Sequence, residues 1–370
     1  MLLTNGLAIA ILQLVRRTDS PEERRTTPAR WEVGGEFHWM GRAPGPFVAW
    51  PMAGIWYLLG RHTVAALLQS LRLHARRLWL PSYFCFDIKQ FWKQFSDVVQ
   101  YHDNPLRAEP DWATLRPDPY DLVVAVNYFG ARAQEPWRKW RNRNECVLVE
   151  DHSHDPVSGW ALHSTADYAF ASLRKTLPVP DGGLLWSPRG LPLPMGGVGE
   201  SSGSLTKLAA MLWKRECLFG DADPEIKATY RRWQQEGEHA FEKATIAFAS
   251  DVTQTFASSG VPKVWRERRR ANTQYLLAAL PKNAGRPVFS SWPEGAAPLG
   301  VVLEFPSQHL RDACRLKLQQ QNVYCAVHWP ALPGCQPAEA ELAGRLLTLP
   351  TDFRYDREDM EKIASILANA

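Results

Sequence analysis

Apolar positions recur along the chain with two different periods. Between Thr63 and Leu73, the side chains of Val64, Leu67, Leu68 and Leu71 fall on one helical face. Arg77–Pro81 (RLWLP) is a short apolar run and reads as a strand. Asp87–Phe95 returns to helical spacing, and Val98–Tyr101 reads as a strand again. Asp121–Asn127 (DLVVAVN) and Cys146–Glu150 (CVLVE) are unbroken apolar runs, the pattern of strands covered on both faces. The polar helix Trp137–Asn142 lies between them. Strands alternating with helices over residues 60–150 predict a parallel α/β sheet.

After residue 160 the pattern changes. Tyr168–Ser172 and Gly183–Trp186 read as strands flanking the loop Leu173–Gly182. Helical stretches follow near 203–219, 224–248 and 262–280. Val301–Phe305 and Val323–Val327 read as strands around a helix near 308–320, and a last helix covers about 356–368. Residues 16–30 (RRTDSPEERRTTPAR) are charged and rich in Thr and Pro, as linkers are. The expected organisation is an extension over 1–30, a large domain over 31–250 and a small α+β domain over 251–370.

Composition narrows the function classes. The 370 residues are 45% apolar and 22% charged, which excludes wholesale disorder and fibrous architecture. A net charge of +4 is spread thinly and argues for no nucleic-acid partner. The six cysteines, Cys85, Cys146, Cys217, Cys314, Cys325 and Cys335, form no CxxC. They read as reduced structural thiols of a cytoplasmic protein. Met1–Val15 is apolar but broken by Asn5 and Gln13. It falls short of the ~20 residues a bilayer span needs. With no basic start and no small-residue cleavage site, it predicts neither a stable membrane span nor a signal peptide.

Asp151 follows a buried strand, and ligands of open α/β sheets bind outside the carboxyl ends of strands. It could meet a cationic ligand group there, or simply cap the next turn. Lys175 sits in a stiff, turn-rich loop, ASLRKTLPVPDGG. A lysine held so could attack a carbonyl. Taken together the two residues suggest pyridoxal phosphate (PLP), which needs a Schiff-base lysine and an anion for its ring nitrogen. Ser172 makes a Ser-x-x-Lys with Lys175. The penicillin-binding enzymes that use this pair also need Ser-Asp-Asn and Lys-Thr-Gly, and neither occurs. Ser172 could instead donate to a phosphate. Gly60, Arg61 and His62 open the first helix, where free amides favour a phosphate.

His152 and His154 lie beside Asp151 and Asp155. No third ligand is near in sequence, so a metal is not expected; ring stacking or hydrogen bonding near a cofactor and plain packing remain equal readings. Trp39, Trp50 and Trp56 read as core material. The basic run Arg266–Arg270 reads as a solvated helix face.

These residues resemble the DegT-type (DegT/StrS) PLP-dependent sugar aminotransferases, in a divergent branch. The resemblance runs from about Trp31 to the end. WEVGGEFHW (31–39) is similar to the family's opening segment, LPSYFCFD (80–87) to its strand-two segment and NYFG (127–130) to a turn after a buried strand. VEDHSHD (149–155) is similar to the segment carrying the pyridinium-binding Asp, SLRKTLPVPDGG (172–183) to the Schiff-base loop, and LTLPTDFRYDREDM (347–360) to the closing motif. The resemblance implies PLP-dependent transferase fold type I, aspartate aminotransferase-like, with a large mostly parallel sheet domain and a small α+β domain.

It implies Lys175 as the internal-aldimine lysine and proton shuttle, and Asp151 as the partner of the pyridine nitrogen. Ser172 would contact the phosphate, helped by the amides of Gly60, Arg61 and His62. His154 stands where relatives often have Gln near the ring, and Asn127 would lie towards the ring hydroxyl. The implied reaction moves an amino group from an amino acid, glutamate by preference, to a keto-sugar or related ketone carried as a nucleotide sugar in some relatives. The implied assembly is a homodimer with the site at the interface. Cys85 departs from the pattern, since relatives stack an aromatic residue on the ring there. Tyr83, Phe84 or Phe86 are the candidates to replace it. The Lys loop also lacks the aromatic and His residues many relatives place before the Lys. Two rival readings remain. One is a PLP enzyme with another outcome, such as sugar dehydration, where His would be expected at position 175. The other is a catalytically degenerate binding or scaffold protein.

Overall fold

A computed structural model describes residues 31–71, 77–197, 201–220, 224–331 and 336–369. The expectations for the extension 1–30 and for Cys335 lie outside the described residues. The central sheet has seven strands: β1 (Ile55–Tyr57), β2 (Arg77–Pro81), β3 (Asp97–Tyr101), β4 (Leu122–Val126), β5 (Val147–Asp151), β6 (Tyr168–Ser172) and β7 (Gly183–Trp186). Their order is β1-β7-β6-β5-β4-β2-β3. Strands β2 to β6 run parallel, and β7 runs against both of its neighbours. Every residue of β4 is buried, as an unbroken LVVAV run requires. Because β4, β5 and β6 are parallel and paired as Val126 with Asp151 and Asp151 with Phe170, their carboxyl ends emerge together on one edge.

Helix α1 (Gly60–Ser70) buries Val64, Leu67 and Leu68 against this sheet, and α2 (Phe86–Trp92) follows β2. Two long helices, α3 (Ser202–Phe219) and α4 (Pro224–Glu242), run antiparallel. Gly203, at the start of α3, leaves no room for a Cβ against the ring of Phe241. The second half of the chain builds an antiparallel sheet from Arg286–Pro287, β8 (Gly300–Glu304) and β9 (Leu346–Pro350). Helices α5 (Lys263–Ala278), α6 (Gln308–Gln320) and α7 (Arg357–Ala368) share a core with it that includes Leu276, Val301, Leu318, Leu347 and Ile363. Val33 belongs to this second core, because Val33–Gly34 pairs in parallel with Val323–Tyr324.

Three expectations need correction. The helix expected over 224–248 ends at Glu242, because the chain beyond it turns extended beside β1. The Leu58 amide donates to the Ala247 carbonyl, the Ala249 amide donates to that of Trp56, and Phe248 bridges to Tyr57. The strand expected over Val323–Val327 shortens to Val323–Tyr324, with Ala326 joined only by a bridge to Thr348. Asp151 is the last residue of its strand rather than the first residue after it. Trp50 and Trp56 meet edge to face at 5.7 Å, and Trp39 packs on Phe256.

Candidate active site

The carboxyl ends of β5 and β6 set the first half of the site. Asp151 is buried, and its Oδ1 accepts the Ser153 amide at 2.8 Å. Among the described residues its Oδ2 accepts no hydrogen bond and no cation pairs with the carboxylate. The Ser153 hydroxyl in turn accepts the Ser172 amide at 2.9 Å, linking the two strand ends. Ser172 backs directly onto the start of α1. A Cβ at Gly60 would lie 2.8 Å from that of Ser172, so the close approach requires glycine. The amides of Gly60 and Arg61 make no backbone hydrogen bond among the described residues, whereas His62 donates its amide to Leu59 at 3.0 Å.

The side chains of Arg61 and His62 serve the packing of α1. The Arg61 guanidinium lies over Phe91 and donates to the Phe241 carbonyl at 2.7 Å. The fully buried His62 ring stacks on Phe91. Burial and the Arg61 charge push its pKa down to about 4.

Lys175 closes a 3₁₀ turn, Leu173–Lys175, that follows β6 immediately. The Leu173 amide donates to Gly182, whose φ of +120° suits only glycine, and Arg269 from α5 donates to the Thr176 carbonyl at 3.1 Å. The loop is therefore held from both sides of the lysine. The half-buried Lys175 Nζ lies 3.4 Å from His154 Nε2 and 5.4 Å from the centroid of the Trp329 ring. No carboxylate comes within ion-pair distance of it among the described residues.

The His154 ring sits between two aromatic faces, Phe129 at 5.3 Å and Trp329 at 5.9 Å, tilted by only 23° and 22°. Its Nδ1 accepts the Phe129 amide at 2.8 Å. Phe129 holds that amide in place from a left-handed conformation, φ 56°, and is followed by Gly130 at φ +69°. A non-glycine residue in that region costs on the order of 1–3 kcal/mol. Burial holds the His154 pKa well below the imidazole range, and the Lys175 and Arg269 charges and the His328 ring act in the same direction.

The remaining candidates fall nearby but do other work. Asn127 donates its amide to the Asp151 carbonyl at 3.0 Å. Its side chain accepts the Arg132 amide and donates to the Ser158 hydroxyl. Asp155 is buried, accepts the Ala297 amide at 2.8 Å and pairs with Arg266. The expectation of a solvated face at Arg266–Arg270 is thus corrected for two of its members. Arg266 and Arg269 turn inward with Trp265 and Leu276, while Glu267 and Arg268 stay exposed. The helical spacing of this stripe is visible in the sequence, but arginine is expected outside.

His152 shares a face with Glu150 by strand alternation and bonds it at 3.0 Å, packed on Trp160 and Trp186. Among the described residues no group of three His, Cys, Asp or Glu side chains is arranged for a metal ion.

The aromatic residue nearest the lysine comes from an unexpected place. Tyr83 and Phe84 each pack against Trp329 rather than reaching Lys175 themselves. Cys85, at the N-cap of α2, has its thiol pKa raised by burial, with the Lys175 charge pulling the other way. Trp329, with His328 beside it, descends from the second half of the chain. Sequence spacing gives no sign of this contact. A cavity of about 740 Å³ elsewhere, between Arg286, Glu304, Phe305, Leu310 and Arg345, contains none of these residues.

Comparison with solved structures bears on the fold. A putative sugar aminotransferase, Spr1654 from Streptococcus pneumoniae, superposes with a TM-score of 0.60 at 13% identity, over 85% of each chain. DesV of S. venezuelae, solved in complex with a ketimine intermediate, gives 0.56 at 14% over 98% of this chain and 96% of its own. A DegT DnrJ EryC1 StrS aminotransferase from Brucella abortus gives 0.53 at 14% over 99% and 95%. The chain has the fold of these aminotransferases. It is PLP-dependent transferase fold type I, with the mostly parallel sheet expected from the sequence, built here of seven strands. No protein-family model and no curated protein matches the sequence.

The residues present fit PLP on three observations. Among the described residues the amides of Gly60 and Arg61 beside Ser172 make no backbone hydrogen bond, Asp151 keeps one oxygen uncommitted, and Lys175 has no counter-ion.

Proposed function

We propose that the chain is a PLP-dependent aminotransferase that moves an amino group from an amino acid, glutamate by preference, to a keto-sugar or related ketone. The observation that carries this reading is the half-buried Lys175, free of any carboxylate among the described residues, on the same sheet edge as the uncommitted Asp151 oxygen. In this reading the amides of Gly60 and Arg61 and the hydroxyl of Ser172 hold the phosphate. Asp151 Oδ2 keeps the ring nitrogen protonated, and Lys175 Nζ takes and returns the Cα proton of the bound amino acid. The cofactor supplies a carbonyl for the lysine and an electron-accepting ring. The Trp329 ring lies over Lys175 Nζ, 5.4 Å from it to the ring centroid. The sugar class of the acceptor draws support from the likeness to Spr1654, a putative sugar aminotransferase, and from the family resemblance.

The same proposal includes a homodimer and a cytoplasmic setting. Among the described residues no helix is long and apolar enough to cross a membrane. Light scattering on purified protein checks the dimer.

The decisive experiment follows the cofactor band of protein reconstituted with PLP. The band is expected to form and to bleach on adding glutamate, and no band at all overturns the proposal. Asp151→Ala is expected to keep the fold and slow transfer by roughly two to four decades, the equivalent of ~3–5 kcal/mol for a truncated buried ion pair. An unchanged rate removes Asp151 from its role.

A further inference from the structure

We propose that the cavity beside the second core binds an amphipathic monocarboxylate, its head on Lys317 and an unbranched apolar tail along α6. The site does not depend on the transferase reading, because its lining contains none of the residues around Lys175.

The cavity has a volume of about 740 Å³, within the range of roughly 300–1,000 Å³ that small-molecule sites occupy. Its walls are regular elements. Leu310, Ala313, Cys314 and Lys317 recur at helical spacing, so one face of α6 lines it. Gly285 and Phe305 line it from the antiparallel sheet, and Leu367 from the end of α7. A Cβ at Gly285 would lie 2.9 Å from the Glu304 carbonyl, so this segment sits directly on the end of β8. Ala284 and Cys314 pack against the second core, which the cavity therefore leaves partly uncovered. Leu310 is 48% exposed and adds apolar surface at one end.

The charges on the lining are not balanced. Arg286 and Arg345 both pair with Glu304, and Arg345 also reaches Glu341 at 3.2 Å. Two cations meet two carboxylates there, and Glu304 is the one carboxylate among the described lining residues. Lys317 pairs with no carboxylate among the described residues. It donates to the Asn369 carbonyl, which leaves two of the three ammonium hydrogens for a ligand. A second cation is repelled by Lys317 and finds Glu304 already taken, whereas a neutral molecule leaves the lysine unanswered. One anionic head fits, since no other cation of the lining is in surplus. Lys317 lies seven residues beyond Leu310, roughly 10 Å along the helix axis. Only the small side chains of Ala313 and Cys314 line the cavity from α6 between them, a seam that suits a narrow chain.

The test uses the full chain and decanoate as the probe, below the concentration at which it forms micelles, followed by calorimetry. One decanoate per chain is expected to bind. Decanol, which has the tail without the charge, should bind about tenfold more weakly, and acetate, which has the head alone, should not bind detectably. Lys317→Gln should weaken decanoate about tenfold and leave decanol within about twofold. A second measurement locates the site without any variant. Saturating decanoate should slow alkylation of Cys314 by N-ethylmaleimide about fivefold or more, read by mass spectrometry, and leave Cys85 and Cys217 unchanged. No saturable binding, equal affinity for decanoate and decanol, an unchanged affinity in Lys317→Gln, or an unprotected Cys314 each overturns the proposal. None of these readouts involves PLP, so a missing cofactor band bears on the functional reading alone.

Discussion

Lys175 and the two buried lysines of α3 are the same side chain in opposite circumstances. Lys207 pairs with Glu36 at 2.5 Å and Glu238 at 2.7 Å, and Lys214 pairs with Glu32 at 3.0 Å and donates to the Glu36 carbonyl at 2.8 Å. Both side chains are only 4% exposed. Burial lowers the Lys214 pKa, and Glu32 offsets part of that. Burying an ammonium is tolerable when carboxylates answer it. These two tie the opening segment around Glu32 and Glu36 to α3. Lys175 has an imidazole and an indole for neighbours instead. The difference separates an amine used as a structural cation from an amine left available for chemistry.

The largest effect comes from truncating each kind. Lys175→Ala should abolish amino-group transfer, by about four decades or more, as loss of a covalent nucleophile does. It should shift stability by no more than about 0.5 kcal/mol, because no ion pair is lost. Lys214→Ala should do the reverse. It leaves the mostly buried Glu32 with Lys227 alone, at a cost of ~3 kcal/mol in denaturant unfolding, with transfer retained in the folded fraction. If Lys175→Ala unfolds the protein as Lys214→Ala does, the contrast is wrong.

A smaller effect should follow from giving Lys175 the carboxylate it lacks. Cys85 caps α2 and lies within electrostatic reach of the lysine. Cys85→Asp places an acid there, at a position where Asp favours the helix by about 1 kcal/mol. Thermal stability should hold or rise slightly, while transfer falls roughly tenfold to a hundredfold as Lys175 becomes an ion-pair partner. Unimpaired transfer would mean that the absence of a counter-ion is incidental.

Much of this contrast was legible in the chain. The strands β4 and β5 announced themselves because a strand covered on both faces must be apolar throughout. Lys175 and Asp151 stood out because an acid at a strand end and a lysine in a Pro- and Gly-rich loop suit one cofactor together. The short β1 escaped because three residues cannot display a period. The inward Arg266 and Arg269 escaped because charge is expected at the surface, although Trp265 and Leu276 marked their stripe as buried. Phe129 gave no sign of its left-handed turn, since phenylalanine carries no preference for it. Trp329 reaches Lys175 only through the fold of the second half, a contact no local pattern encodes.

The smallest effect tests whether the two kinds of lysine are coupled through Glu238. This residue pairs with Lys207 and, at 2.5 Å, with Arg174, the neighbour of Lys175. Burial alone would raise its pKa, but Arg174 and Lys207 outweigh burial and bring it from 4.5 to about 2. A carboxylate lowered in this way adds stability that is fully present above its unfolded pKa near 4.5. That stability is lost as pH falls towards 2, because the unfolded chain takes up the proton first. Since 41% of the side chain is exposed, solvent screening holds the contribution to roughly 1 kcal/mol. Glu238→Gln should therefore flatten the acid limb of unfolding stability between about pH 4.5 and 2, measured by urea titration at each pH. Lys207 retains Glu36, so the variant should fold at neutral pH. Its rate of amino-group transfer should match the parent, since Glu238 reaches Arg174 and not Lys175. A changed rate would show that the ion pairs of α3 and α4 reach the site, and that the two kinds of lysine act as one network.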